Sequence, residues 1–190
     1  IWDKREALDL IQDEARLLRP HNYPEKTPGS GWAVVTGSNG VEVGVLNIMG
    51  TVFMHPTLDC PFRCVDDVLT RKPETLKVIL VDFHAEATSE KVAMGWYLDG
   101  RVSGVVGTHT HVPTADERVL PKGTAHISDV GMTGCYNSVI GVETSGILKR
   151  FIERVPERME PASGPGSVCG VVIDVDETSG LSRSIERAVS

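Results

Sequence analysis

The sequence predicts an α/β fold, and three consecutive stretches carry that expectation. Lys77–Phe83 (KVILVDF) and Val102–Thr108 (VSGVVGT) are nearly continuous apolar runs, the pattern of strands covered on both faces. Ser89–Leu98, between them, reads as a helix closed by Asp99-Gly100. Strand, helix and strand within about 30 residues form a βαβ unit, so the two strands are expected to be parallel neighbours joined by a right-handed crossover.

The remaining elements follow in chain order. Asp3-Lys4-Arg5-Glu6 has the form of a capping box, in which Asp3 caps the first turn and Glu6 returns the bond. Leu8, Ile11, Ala15 and Leu18 recur at helical spacing, and Arg19-Pro20 is expected to end that helix. Residues 20–31, rich in Pro, Gly, Asn and Ser, read as a loop. Trp32–Thr36 and Val41–Asn47 flank Gly37-Ser38-Asn39-Gly40, whose Asn-Gly favours a turn of positive φ, and so predict a β-hairpin. A loop with Pro56 and Pro61 leads to a helix near Phe62–Thr70. Beyond the βαβ unit come short strands near Arg118–Leu120 and Thr124–Ser128, then a loop containing Gly131, Gly134 and Asn137. A helix near Glu143–Arg154 and a polar connector, Pro156–Gly166, precede a closing hairpin of Val168–Val175 and Leu181–Ala188 around Asp176–Gly180. There is no internal repeat and no low-complexity tract.

Composition limits the function classes. The 190 residues are about one domain's worth of chain. With 19 Lys+Arg against 26 Asp+Glu the net charge is −7, which argues against a reader of duplex nucleic acid and against a polybasic membrane binder. No apolar run approaches the ~20 residues of a spanning helix. Small anionic substrates held through metal cations stay open. Cys60-x3-Cys64 has the look of half a zinc site, but Cys135 and Cys169 stand singly and complete nothing. Four free thiols in a reducing, cytoplasmic compartment is the reading that follows. The chain opens Ile1-Trp2-Asp3, without Met, and is expected to be a processed chain or a piece of a longer protein.

Chemistry concentrates in the βαβ unit. His84 follows KVILVDF, and His109 and His111 follow VSGVVGT. Ligands of open α/β sheets gather outside the carboxyl ends of the parallel strands, so all three imidazoles are expected at one place. In an extended segment residues i and i+2 face one side, which lets His109 and His111 converge on one centre or on two adjacent ones. Imidazole suits Zn, Fe and Mn, and Asp82, two residues before His84, is placed to fix a histidine tautomer. His21, His55 and His126 lack such company and read as structural or surface residues. Three neutral imidazoles do not neutralise even one divalent cation; Glu86, Asp116 and Asp129 are the local carboxylates, none at ligand-like spacing.

These segments resemble a known family. Val81–Lys91 (VDFHAEATSEK) and Val106–Asp116 (VGTHTHVPTAD) closely resemble the YmdB-like branch of the calcineurin-like metallophosphoesterases, whose Gly-x-His-x-His signature Gly107–His111 matches. Gly95–Val102, Ser128–Gly134 and Val171–Asp174 extend the similarity over essentially the whole chain. The resemblance implies a four-layer α-β-β-α sandwich with mixed sheets. It implies a bacterial, cytoplasmic phosphodiesterase acting on phosphate esters such as 2′,3′-cyclic nucleotides, and a homo-oligomer. It further implies two metal ions, Fe or Mn, with a metal-bound hydroxide as nucleophile. His84 and His109 would serve one metal and His111 the other.

The family pattern also includes an aspartate ligand, a bridging glutamate with an adjacent asparagine, and a Gly-Asn-His segment whose histidine protonates the leaving group. By the resemblance all of these precede Ile1, so no catalytic residue is expected within the chain itself, and residues 1–190 are the larger, C-terminal part of one metallophosphoesterase domain lacking its N-terminal strands. On that basis the chain alone is expected to be inactive. Cys135 and Asn137 depart from the Pro-Tyr-Asp of relatives. Val112-Pro113-Thr114 and the loop Gly131–Ser138 are expected to shape the rim of the site. Two alternatives stand beside this reading: an amidohydrolase-like metal hydrolase, which also uses His-x-His after a strand, and a non-catalytic metal-binding module.

Overall fold

The computed structural model describes residues 5–190, and the Asp3–Glu6 capping box lies outside the side chains described. The first helix, α1 (Arg5–Asp13), is shorter than the apolar spacing predicts. The Glu14 carboxylate accepts from the Arg16 backbone amide at 3.0 Å and from its guanidinium. That amide would otherwise continue the helical ladder, so the local side-chain bond competes with the helix and ends it. Arg19, nearly buried, then turns its guanidinium onto the carbonyls of Gly29 and Pro20.

The hairpin forms as expected, with β1 (Trp32–Thr36) antiparallel to β2 (Glu42–Met49) and Gly40 at φ 83. Helix α2 (Pro61–Arg71) starts with Pro61 in its first turn, where the missing N–H costs nothing. The predicted βαβ unit is β3 (Val78–His84), α3 (Thr88–Tyr97) and β4 (Gly104–Thr108), with the two strands parallel. A second unit, β2–α2–β3, was not legible, because β2 reads as a hairpin arm; it lies parallel to β3 with Met49 opposite His84.

The chain continues through β5 (Arg118–Val119), β6 (Ala125–Ile127), β7 (Thr133–Gly134), α4 (Thr144–Glu153), β8 (Ser167–Val175) and β9 (Ser182–Val189). The large sheet has the order β1-β2-β3-β4-β6-β5, and β7-β8-β9 form a second sheet. The two-residue β7 is too short to leave a periodic signal. Helices α2 and α3 cover one face of the large sheet, packing Val65, Val68, Met94 and Leu98 on Leu46, Ile48, Val81 and Phe83. The other face meets the second sheet through Val106, Ala125 and Ile127 against Val171, Ile173 and Ile185. Helices and stacked sheets in layers are the α/β architecture expected. Among the described residues no helix is long and apolar enough to cross a membrane.

His126, on β6, points the opposite way from Ala125 and Ile127 and packs under α3, where a Cβ on Gly95 would strike its ring. It is 1% exposed, and neither ring nitrogen has a hydrogen-bond partner. Burial pushes its pKa below the ordinary 6.5 and Arg118 adds to this, while Asp116 and the nearby Val105 backbone, too poorly aligned for a full hydrogen bond, act against it. The folded state therefore keeps His126 neutral while the unfolded chain accepts a proton near pH 6.5. Stability is full above that value and falls as the pH drops through it, because the unfolded state then binds more protons. Urea unfolding at pH 7.5 and 5.5 is expected to show a lower midpoint at the acid value, and His126→Leu is expected to shrink that difference.

Candidate metal centre

The parallel strands β2, β3 and β4 end at one edge. Gly50 donates its amide to the His84 carbonyl at 2.9 Å, and Ala85 donates to Thr108 at 3.2 Å, so the three strand ends are stitched side by side. His84 is the last residue of β3 and His109 the first after β4. Their rings meet edge to face, 88° apart in plane, with His84 Nε2 3.1 Å from His109 Nδ1.

Hydrogen-bond chemistry assigns the His84 tautomer. Asn47 Nδ2 donates to Asp82 Oδ2 at 2.7 Å, and the Thr108 hydroxyl donates to Asp82 Oδ1 at 2.9 Å. A hydroxyl has one proton, and a carboxylate only accepts. Thr108 can therefore only accept from His84 Nδ1, 3.0 Å away, which places the ring proton on Nδ1 and leaves the Nε2 lone pair facing His109. Burial lowers the His84 pKa and the neighbouring His109 lowers it further, against Asp82 and Asp129, so the ring is held in the neutral form that binds cations. Asp82 thus acts on His84 through Thr108 rather than directly, a link invisible until the two strands are paired.

The His-x-His segment is not extended. His109 has φ 123 and His111 φ 66, so the two rings do not share a side by strand alternation as expected. Strain of this kind concentrates at functional sites. His111 Nδ1 donates to the carbonyl of Ile140 at 2.8 Å, which leaves its Nε2 lone pair available. His84 and His109 are thus brought together, and His111 is held separately against the loop that follows β7. Among the described residues no group of three His, Cys, Asp or Glu side chains closes on a single point.

The local carboxylates have other work. Glu86 Oε2 lies 2.9 Å from His109 Nε2. Asp116 accepts from the Ser128 amide at 3.1 Å. Asp129 is fully buried and accepts from Lys91 Nζ at 3.0 Å, from the Thr110 amide at 3.0 Å and from the Gly131 amide at 2.9 Å. Burial alone would raise its pKa, but the Gly131 and Thr110 amides and Lys91 together hold it below the ordinary 3.8. It fixes the backbone between the two histidines through Thr110, and its contacts with Thr114 and with the Gly131 amide link the two segments expected to shape the rim. His21 lies beside β2, its backbone amide on the Asn47 carbonyl, and like His55 and His126 it stays apart from the histidine pair.

Helix α3 supplies two anchors that the sequence does not advertise. Glu90, 8% exposed, accepts from the Thr51 amide and hydroxyl and from the Val52 amide at 2.9–3.3 Å. Lys91, 1% exposed, holds Asp129. Adjacent charged residues on a helix ordinarily read as a solvated face. Asn47 did carry a signal, as the one amide in the apolar strand EVGVLNIM.

Imidazole nitrogen is a donor that suits a metal. As they stand the two rings share a hydrogen bond, His109 Nδ1 donating to His84 Nε2 at 3.1 Å, so an ion bound by both would take the place of that proton. One lone pair is already directed into that space, and the other ring edge is within reach of it. Two imidazoles leave most of a coordination sphere, and all of the charge, to other ligands.

The model of the YmdB-like protein family matches residues 1–188. The chain is 50% identical over 186 residues to the 2′,3′-cyclic-nucleotide 2′-phosphodiesterase of Bacillus subtilis, covering 98% of this chain and 70% of that protein. A hypothetical protein from Thermus thermophilus, solved by crystallography, superposes with a TM-score of 0.91 at 41% identity, covering all of this chain and 72% of the other. The crystal structure of a novel phosphatase from Mycoplasma pneumoniae gives 0.90 at 31% identity, with 100% and 68% covered. Against curated Mycoplasma relatives the chain spans 63% of their length.

Three variants test the supports of the site. Lys91→Met strands the Asp129 charge in the core and is expected to cost about 3–5 kcal/mol of stability by urea unfolding. Adding Asp129→Asn is expected to return part of that loss, since the amide carbonyl still accepts from Thr110 without a charge. Thr108→Val removes the acceptor for His84 Nδ1. In the metal-free protein, 15N chemical shifts are expected to show His84 as the Nδ1–H tautomer, and the variant as a mixture.

Proposed function

The chain belongs to the YmdB-like family, and on that premise we propose that the intact protein is a metal-dependent phosphodiesterase acting on phosphate esters of the 2′,3′-cyclic-nucleotide class. The observation that carries this reading is the meeting of His84 and His109 at the carboxyl edge of the parallel strands, with the His84 proton held on Nδ1. We assign His84 and His109 to one metal ion and His111 to a second, with Fe or Mn as the pair. Metal ions bound there supply Lewis-acid polarisation of the phosphoryl oxygens and an activated water at neutral pH.

The protein's own residues do the positioning. Thr108 and Asp82 keep the His84 lone pair outward; Asp129 and Lys91 hold the strained backbone that carries His109 and His111; Ile140 orients His111. A net charge of −7 does not bar an anionic substrate, since the local field at such a site is set by its cations. The four cysteines are all unpaired, which supports a reducing, cytoplasmic setting. Exposed Leu148, Phe151 and Ile152 on α4 are the kind of surface a homo-oligomer covers. The relatives described above lend no support to the amidohydrolase alternative.

Reconstituted with Mn or Fe, the intact protein is expected to hydrolyse a 2′,3′-cyclic nucleotide, read by phosphate-ester product on ion-exchange chromatography. His84→Ala and His109→Ala are each expected to lower bound metal by elemental analysis and to cut turnover on the order of 100-fold or more. Unchanged metal stoichiometry in both variants would refute the ligand assignment.

A further inference from the structure

We propose that Phe53 is a stacking platform for the nucleobase of the substrate, a proposal that rests on the cyclic-nucleotide reading above. Phe53 is 83% exposed, the most exposed large apolar side chain among the described residues. It also has φ 61, a left-handed conformation that bulky residues rarely adopt. Neither property helps the fold. An exposed phenyl ring gains nothing from burial, and the backbone beneath it is strained.

The backbone on either side of it is nevertheless held in place. The residue before it, Val52, gives its amide to the buried Glu90 carboxylate at 3.3 Å, and Thr51 gives both its amide and its hydroxyl to the same group. The residue after it, Met54, is 6% exposed. At the base of the loop, a Cβ on Gly50 would collide with Glu90 and Ala85, so only glycine lets the loop sit this close to the end of β3. With both flanking residues tied down, Phe53 projects outward from a rigid frame rather than from a loose tip.

Its loop leaves β2 beside the candidate site. Met49 pairs with His84, and Gly50 donates to the His84 carbonyl at 2.9 Å. Phe53 is three residues further on, so its Cα lies within about 11 Å of that of Gly50. On the opposite side of β3, Val112, 54% exposed, follows directly on His111. A nucleotide with its phosphate at His84 and His109 has one large, flat, apolar part left to place, its base. Aromatic faces receive bases of any sequence by stacking, and purines offer the larger face.

The test uses the intact, metal-loaded protein with 2′,3′-cyclic AMP, 2′,3′-cyclic CMP and a base-free methyl riboside 2′,3′-cyclic phosphate. Phe53→Ala is expected to raise KM for cyclic AMP about tenfold or more, to raise it less for cyclic CMP, and to leave kcat and the base-free substrate unchanged. Phe53→Trp is expected to keep wild-type KM. A parallel calorimetric titration compares 3′-AMP with ribose 3-phosphate, where Phe53→Ala is expected to weaken only the former. Equal effects on ligands with and without a base, or no effect, overturn the proposal and leave Phe53 to another partner such as an apolar protein surface. Base-selective binding that depends on Phe53, in a protein that turns over none of the substrates, would sink the phosphodiesterase reading and leave the stacking standing.

Discussion

Two adjacent buried charges on one helix hold the site together. Glu90 and Lys91 follow each other on α3, so their side chains leave the helix about 100° apart. Glu90 takes the amides of the loop after β2, and Lys91 reaches Asp129, which takes the amide of Thr110 after β4. Strand β3, carrying His84, lies between β2 and β4. The helix thus grips the loops on both flanks of the central strand with groups of opposite sign. Each charge is nearly excluded from water, where an unpaired ion costs several kcal/mol. Neither loop can drift without exposing one of them to that penalty, and this converts burial into positional precision at the strand ends.

The strain at the site becomes intelligible against this support. Phe53, His109, His111 and Ile140 all have positive φ without being glycine. Each lies next to a fixed group: Val52 on Glu90, Thr110 on Asp129, and His111 on the Ile140 carbonyl. Backbone in this region persists only when its surroundings over-determine it. The hydrogen-bond chain Asn47–Asp82–Thr108–His84 does the same for a proton. It crosses three strands, so the tautomer of a side chain at the edge depends on sheet register several residues back. Loops and proton positions are both set before any ligand arrives, as a site that binds charge needs.

The acidic balance of the chain and the cation-binding reading are compatible for the same reason. Carboxylates near the histidines are mostly occupied by backbone amides and by Lys91 and do not crowd the histidine pair: Asp116 holds Ser128 and Asp129 holds Thr110 and Gly131. Among the described residues, Glu86 is the carboxylate in direct contact with a ring of that pair.

What the sequence determined by itself was most of the local pattern, with the end of α1 and the His109-x-His111 alternation as exceptions. The apolar runs Lys77–Phe83 and Val102–Thr108, the Asn39-Gly40 turn and the closing hairpin each follow from patterns within about ten residues, and each is present. The histidine positions belong to the same class, since a residue just past a buried strand lies at a sheet edge. Tertiary structure decided what depends on partners distant in the chain. Glu90 and Lys91 look like ordinary solvated helix residues until the loops at 51–52 and 129 are brought onto them. His109 and His111 read as alternating strand residues until Asp129 bends the backbone between them. Asp82 reads as a direct partner of His84 until β3 and β4 pair and put Thr108 between. The physical reason is common to all three: a hydrogen bond or ion pair across 20 to 40 residues leaves no periodicity, and its strength comes from burial, which only the folded chain creates.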